Sequence, residues 1–126
     1  MIHGIGTDIV HVPRVSLALS RWGERFAHRI LHEDEWVAFR DAALPANHLA
    51  KRYAAKEAWA KALGTGFRDG LSLKHIAIQR SDLGKPELTL RGRAAQLATA
   101  QGIGAQHLSL ADERDYAVAY VVLERG

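Results

Sequence analysis

A carboxylate inside an apolar run is the first residue in this chain with chemistry in view. Residues 2–10 read IHGIGTDIV, and Asp8 is their only acidic side chain. A carboxylate among apolar neighbours calls for a cation, a set of donors or a raised pKa. An aspartate that merely caps a following helix meets that need, and so does one that ligates a divalent metal. Glu57 and Lys61 stand four residues apart in a helix-like stretch, one turn from Tyr53. Taken alone, such a pair is an exposed helix ion pair worth about 0.2–0.5 kcal/mol. Here Ala54, Ala55, Ala58, Ala60 and Ala62 give the helix a narrow surface that packs closely, and Arg52, Lys56 and Lys61 ring the carboxylate with cations. A carboxylate that holds a metal, beside cations that hold phosphate oxygens, is the composition of a magnesium–polyphosphate site.

Other candidates are weaker. The loop GTGFRDG (64–70) follows a helix instead of opening one and lacks the Gly-Lys-Ser/Thr ending of a P-loop, so Walker-type binding is rejected. His107 and Ser109 share a strand parity opposite to Leu108 and Leu110, which turns both away from the core side. No serine lies in a Gly-x-Ser-x-Gly elbow, and the remaining histidines lack zinc-site spacing. Arg14, Arg21 and Arg25 recur one and two turns apart near the N-terminus, as a solvated basic face or a docking stripe for an acidic helix.

These residues need elements to position them. Residues 2–10 read as a buried strand in which Gly4 and Gly6 admit a close neighbour. Pro13 suits the first turn of a helix over 13–22; Gly23 interrupts it, and helical stretches follow at about 24–31 and 33–42. Asn47 is expected to cap the strongest helix, 48–63, and Gly64 to stop it. Strands are expected at 74–80 and around Leu88 and Leu90, joined by the turn 82–86, with a helix at 92–101 after them. Two strands close the chain, 106–111 and 116–123; the last is apolar on both parities and so central. The mixture, without regular β-α-β alternation, predicts one α+β domain over 1–126: a small, mainly antiparallel sheet packed on a long helix.

Composition sets the remaining bounds. The 126 residues are 48% hydrophobic and 25% charged, as in a soluble globular protein. Without cysteine there are no disulfides, thiolate zinc sites or thiol nucleophile. No run approaches the roughly 18 apolar residues of a membrane span, and the start lacks a signal-peptide layout, so a cytoplasmic location is expected. Lys and Arg total 17 against 14 Asp and Glu, with a pI near 9.5, which favours anionic partners.

Taken together, GIGTDIV (4–10) with Arg14, LAKRYAAKEAWAKALGTG (49–66), GKP (84–86), His107-Leu108-Ser109 and Tyr116-Ala117 resemble the bacterial holo-acyl-carrier-protein synthase family. The motifs run in family order over nearly the whole chain. Many relatives carry Ser-His where this chain has Ala111-Asp112. The resemblance implies transfer of 4'-phosphopantetheine from coenzyme A to a serine of apo-acyl carrier protein, in support of fatty acid biosynthesis. It also implies a homotrimer with active sites at subunit interfaces. Asp8 and Glu57 would hold Mg²⁺ and Lys61 would contact phosphate. Arg52 and His107 would meet the 3'-phosphate and adenosine end, with Gly64 near the cofactor and Gly84, Lys85 and Pro86 lining the nucleotide from a neighbour. Arg14, Arg21 and Arg25 would dock the carrier protein.

Two rival readings remain. A basic nucleic-acid-binding domain fits the pI, but the aromatic share is 7% and no basic, aromatic-studded sheet face is evident. A non-catalytic coenzyme A or nucleotide-binding module of the same fold is the other, and retention of both Asp8 and Glu57 argues against it.

Overall fold

A computed structural model describes all residues, 1–126. The long helix α4 (Pro45–Leu63) is the axis of the fold, and the first strand, β1 (Ile2–His11), lies directly against it. Gly4 and Gly6 explain the closeness. A Cβ at Gly6 would sit 2.0 Å from the Ala58 carbonyl oxygen, and one at Gly4 would sit 2.0 Å from that of Ala62. Only hydrogen side chains on the strand, met by alanines on the helix, allow the two backbones to touch. This is the close neighbour that the two glycines predict.

Helix α1 (Val12–Trp22) follows without a loop, with Pro13 in its first turn, and ends at Gly23. Gly23 at φ 60° and ψ −147° redirects the chain into α2 (Glu24–Ile30). The third helical stretch is broken in two. A 3₁₀ turn at Glu33–Glu35, capped by His32, precedes α3 (Trp36–Asp41). Two strands, β2 (Ile76–Arg80) and β3 (Pro86–Leu90), form a separate antiparallel hairpin, preceded by a 3₁₀ turn over Leu73–His75 where the sequence suggested strand. Helix α5 (Gly92–Ala100) leads to β4 (Ile103–Asp112) and β5 (Tyr116–Arg125).

The main sheet has the order β1-β5-β4, antiparallel throughout, so the closing strand is central as its composition predicts. Ala117, Ala119, Val121 and Leu123 face inward and are fully buried with Leu49, Ala58 and Trp59 of α4. Small residues on both sides bring sheet and helix close, and their burial is the main drive to this arrangement. The alternate residues make an outer sheet face with three cross-strand rows: Ile5–Val122–His107, Thr7–Tyr120–Ser109 and Ile9–Val118–Ala111.

Asn47 does not cap α4. The helix begins two residues earlier at Pro45, whose missing N–H costs nothing in a first turn. The Asn47 amide instead donates to the Asp112 carboxylate (3.3 Å) and the Glu113 carbonyl (3.0 Å), tying the β4–β5 turn to the helix. Lys51 adds an ion pair to Asp112 at 3.5 Å. Gly64, in the left-handed region at φ 100°, ends the helix as expected.

Candidate active site

Along β1 the residues Gly4, Gly6, Asp8 and Val10 share the face toward α4. The glycines let the helix press in; Asp8 is the first position on that face with a functional side chain. Lys61, in the last turn of α4, reaches across to it. Its Nζ donates to Asp8 Oδ1 at 3.1 Å and to the Thr7 carbonyl at 2.9 Å. The Asp8 side chain is 18% exposed and that of Lys61 54%, so the lysine head sits at the solvent edge over a mostly covered carboxylate.

Asp8 opens into a cleft of about 670 Å³. Tyr53 and Glu57, one turn apart on α4, form the wall beside it. Arg14, Val15 and Ala18 of α1 supply the adjoining wall, and Phe26, Arg29 and Ile30 of α2 the one beyond, with Leu73 as a further lining residue. The Tyr53 phenol has a raised pKa, first because it is partly buried and then because Glu57 and Asp8 place negative charge nearby. It therefore stays protonated, a donor beside two carboxylates.

Asp8 and Glu57 thus line one cleft with hard oxygen donors. No group of three or more acidic, histidine or cysteine side chains is arranged to hold a metal by itself. That set suits Mg²⁺, which is bound by one or two carboxylates and completes its shell with water and substrate phosphate. The lysine ammonium already drawn to Asp8 marks the position as one that attracts positive charge.

The ring of cations predicted around Glu57 does not form. Of Arg52, Lys56 and Lys61, only Lys61 reaches a site carboxylate. Lys56 is fully buried on another face, paired with Glu35 at 2.6 Å. Helix geometry is the reason: neighbours one residue apart diverge by roughly 100° around the axis, so Lys56 and Glu57 cannot share a surface. Arg52 is 3% exposed and lies outside the cleft, with Nε and Nη1 lacking any partner within the chain. Beside it His48 has its pKa lowered to about 4, by burial first and then by Arg52, Lys51 and Arg80.

The other sequence candidates are dispersed. Gly84 (φ 84°) makes the tip of the β2–β3 hairpin, where Arg80 donates to its carbonyl at 2.7 Å. Lys85 and Pro86 border a shallow cavity shared with Gln106 and Leu108 of β4, not the Asp8 cleft. His107 stands on the outer sheet face, its Nε2 2.6 Å from Glu124, whose pKa is lowered by that contact. Gly64 follows Lys61 by three residues at the helix end. Arg14 lines the main cleft, and Arg25 lines a smaller one with Trp22, Phe26 and Arg29. Arg21 lies over the Trp22 ring at 5.1 Å.

Arg29, which lines both cavities, was not among the sequence candidates. Its signal was present: 21, 25 and 29 recur every four residues. The Gly23 break hid it, because the stripe crosses from one helix to the next.

A three-stranded antiparallel sheet on one long helix, with two carboxylates and a basic rim on a cleft, defines a class of small proteins suited to polyanions. The chain belongs to the 4'-phosphopantetheinyl transferase superfamily, whose family model matches residues 4–121. It is 52% identical, over the full length of both chains, to the holo-[acyl-carrier-protein] synthase of Halorhodospira halophila. The crystal structure of the holo-[acyl-carrier-protein] synthase from Neisseria meningitidis superposes with a TM-score of 0.92 at 47% identity, covering 99% of this chain and 100% of that one. A second, from Bacillus anthracis in complex with CoA (3',5'-ADP), gives 0.83 at 34% identity, with 100% and 99% covered.

Proposed function

We propose that the protein is a phosphopantetheinyl transferase that moves the 4'-phosphopantetheine arm of coenzyme A onto a serine of an apo-acyl carrier protein. The observation that carries this reading is the cleft in which Asp8, Glu57 and Tyr53 face Arg14, in a chain of this superfamily. The near-full-length likeness to holo-[acyl-carrier-protein] synthases supports the same activity over a passive nucleotide-binding module or a nucleic-acid-binding domain.

In the reaction the carrier serine oxygen attacks the β-phosphorus of coenzyme A. A new P–O bond forms, the pyrophosphate bridge breaks, and adenosine 3',5'-bisphosphate leaves with the bonding pair. The serine proton passes to one of the site carboxylates or to water. Both substrates are polyanions, so charge must be neutralised before an oxygen nucleophile can approach. Bound between Asp8 and Glu57, Mg²⁺ would supply part of that neutralisation. Lys61, at the solvent edge of the same group, would hold phosphate oxygen, and Tyr53 would donate toward the carboxylates. Arg14, Arg21 and Arg25 would receive the acidic carrier, while Arg52, His107, Gly64 and the Gly84-Lys85-Pro86 turn would meet the nucleotide.

Further parts of this reading are a single catalytic domain over 1–126, a homotrimer with sites shared between subunits, and a cytoplasmic location. No helix is long and apolar enough to cross a membrane. The deciding experiment mixes the protein with coenzyme A, Mg²⁺ and an apo-carrier and weighs the carrier by mass spectrometry. A gain equal to one phosphopantetheine arm is expected. An unmodified carrier, with coenzyme A nonetheless bound, would support the passive module instead.

A further inference from the structure

The most fully enclosed polar group in the molecule is not in the cleft. Lys56 Nζ, with no side-chain exposure, donates to Glu35 Oε1 at 2.6 Å and to the carbonyl of Ile30 at 2.6 Å. Glu35 in turn accepts from the His32 amide at 2.9 Å and the Ile78 amide at 3.2 Å. Ile30 is the last residue of α2, so the lysine holds one of the carbonyls a helix end leaves unpaired, where a cation is also favoured by the helix dipole.

Buried ion pairs are poor stabilisers. Apolar replacements of both partners are often neutral or better, because desolvation offsets the attraction. Stability alone therefore does not account for the group. Its geometry points elsewhere. Lys56 is the residue before Glu57, on the same helix, and Ile30 and Arg29 line the same cleft as Glu57. The lysine thus ties one wall of the cleft to the helix that carries the other.

We infer that Lys56 is a positioning residue: its bond to the Ile30 carbonyl fixes α2 against α4 and so sets the opening of the cleft on the side that admits the carrier protein. The inference rests on the transferase reading above. It separates Lys56 from Arg25 and Arg29, which sit on the tethered segment at the surface. When the tether is lost, α2 shifts as a unit, and Arg29 and Ile30 leave their places in the wall of the cleft that holds Glu57. The carrier substrate is then affected and coenzyme A is not.

The test compares two neutralised variants. E35Q retains Lys56 and its bond to Ile30 but strips the buried ammonium of its counter-charge, so it is expected to lower stability while leaving the kinetics of the folded enzyme in place. K56M/E35Q removes that bond and leaves no unpaired charge. Steady-state kinetics are measured with each substrate varied, alongside thermal unfolding. E35Q is expected within threefold of wild type in every constant. The double variant is expected to raise KM for the apo-carrier at least tenfold, with KM for coenzyme A unchanged within twofold. Unchanged carrier kinetics in a folded double variant would overturn the inference, as would an equal loss in E35Q or equal losses for both substrates. Should the double variant not fold, K56Q/E35Q replaces it, which keeps the site polar and again leaves no unpaired charge. Glutamine is too short to span Ile30 and residue 35 together, so a several-fold rise in carrier KM is expected, and wild-type kinetics would refute the tether. A wild-type enzyme without transfer activity would refute the transferase reading itself, a result distinct from all of these.

Discussion

Asp8 and Glu57 are separated by 49 positions in the chain and meet in one cleft because a strand and a helix touch through glycine and alanine. Asp8 pairs only with Lys61 at the solvent edge and Glu57 makes no salt bridge, so D8N and E57Q are each expected to lower turnover at least a hundredfold while the circular dichroism spectrum stays that of wild type. Either variant turning over near-normally at saturating Mg²⁺ would remove that residue from the metal assignment. His48 supplies a second test at the same scale, this time of stability. Its folded pKa, about 4, lies below the ordinary 6.5, so the native state disfavours the protonated form. The resulting stability is present above pH 6.5 and is lost as pH falls toward 4. Since the ring is only partly buried, about 1–2 kcal/mol is a discounted figure for that loss. Urea unfolding of H48Q at pH 7 and pH 4.5 should show a smaller acid loss than wild type, and an identical loss would assign the acid sensitivity elsewhere. Asp8 stood out in the sequence because it interrupts an apolar run, whereas Glu57 drew notice only through its alanine-rich, cationic neighbourhood. Arg52 and Lys56 were misjudged as part of the ring around Glu57. Side-chain direction around a helix depends on which face the rest of the fold covers, and an alanine-rich helix whose charged and apolar residues are spread all round it gives no sign of that.

At the scale of elements, contact between β1 and α4 is the most exacting feature. Adding one methyl at Gly6 drives it into the Ala58 carbonyl, which is helix backbone and cannot rotate away. Gly6→Ala should therefore cost about 2–3 kcal/mol in chemical denaturation, within the range for overpacking. It should also weaken catalysis by shifting Asp8 from Lys61; a change below about 0.5 kcal/mol would mean the strand yields freely. Helix α1 carries a different test. Reversing charge at Arg14 and Arg21 is expected to raise KM for the carrier by tenfold or more at low salt, with less effect as salt rises, and to leave KM for coenzyme A nearly unchanged. Losses that are equal for both substrates would place these arginines in the fold or with the nucleotide. Most elements could be read from sequence, since Pro13, Gly23 and Gly64 mark real boundaries. The start of α4 could not, because Asn47 has the chemistry of a cap but serves a distant turn that local pattern does not contain. The break at Glu33–Glu35 escaped for a similar reason: Glu35 turns inward to Lys56, a partner 21 residues away.

At the scale of the whole molecule, two facts point the same way. The outer face of the main sheet exposes Ile5 (56%), Ile9 (63%) and Tyr120 (46%), an apolar surface that a monomer would leave wet. In addition, the residues expected at the nucleotide end lie away from the carboxylates. Lys85 and Pro86 border a separate cavity, and His107 belongs to that outer face. A neighbouring copy seated on the sheet would cover the first and could bring the second toward the cleft, which is the trimer with shared sites proposed above. Complementation tests it directly. D8N lacks a carboxylate of the cleft and K85E reverses charge at the turn proposed to meet the nucleotide, so each homogeneous assembly should be nearly inactive. In mixed trimers, some interfaces pair an intact carboxylate with an intact lysine from the other chain. Unfolding the two together and refolding them should therefore restore a measurable share of wild-type activity, with sedimentation giving the mass of three chains. Replacing Ile5 and Ile9 by glutamate should yield folded monomers and abolish the recovery. If mass analysis proves that chains have exchanged and activity still does not return, the site is complete within one chain. A wild-type monomer at micromolar concentration that turns over normally would lead to the same conclusion.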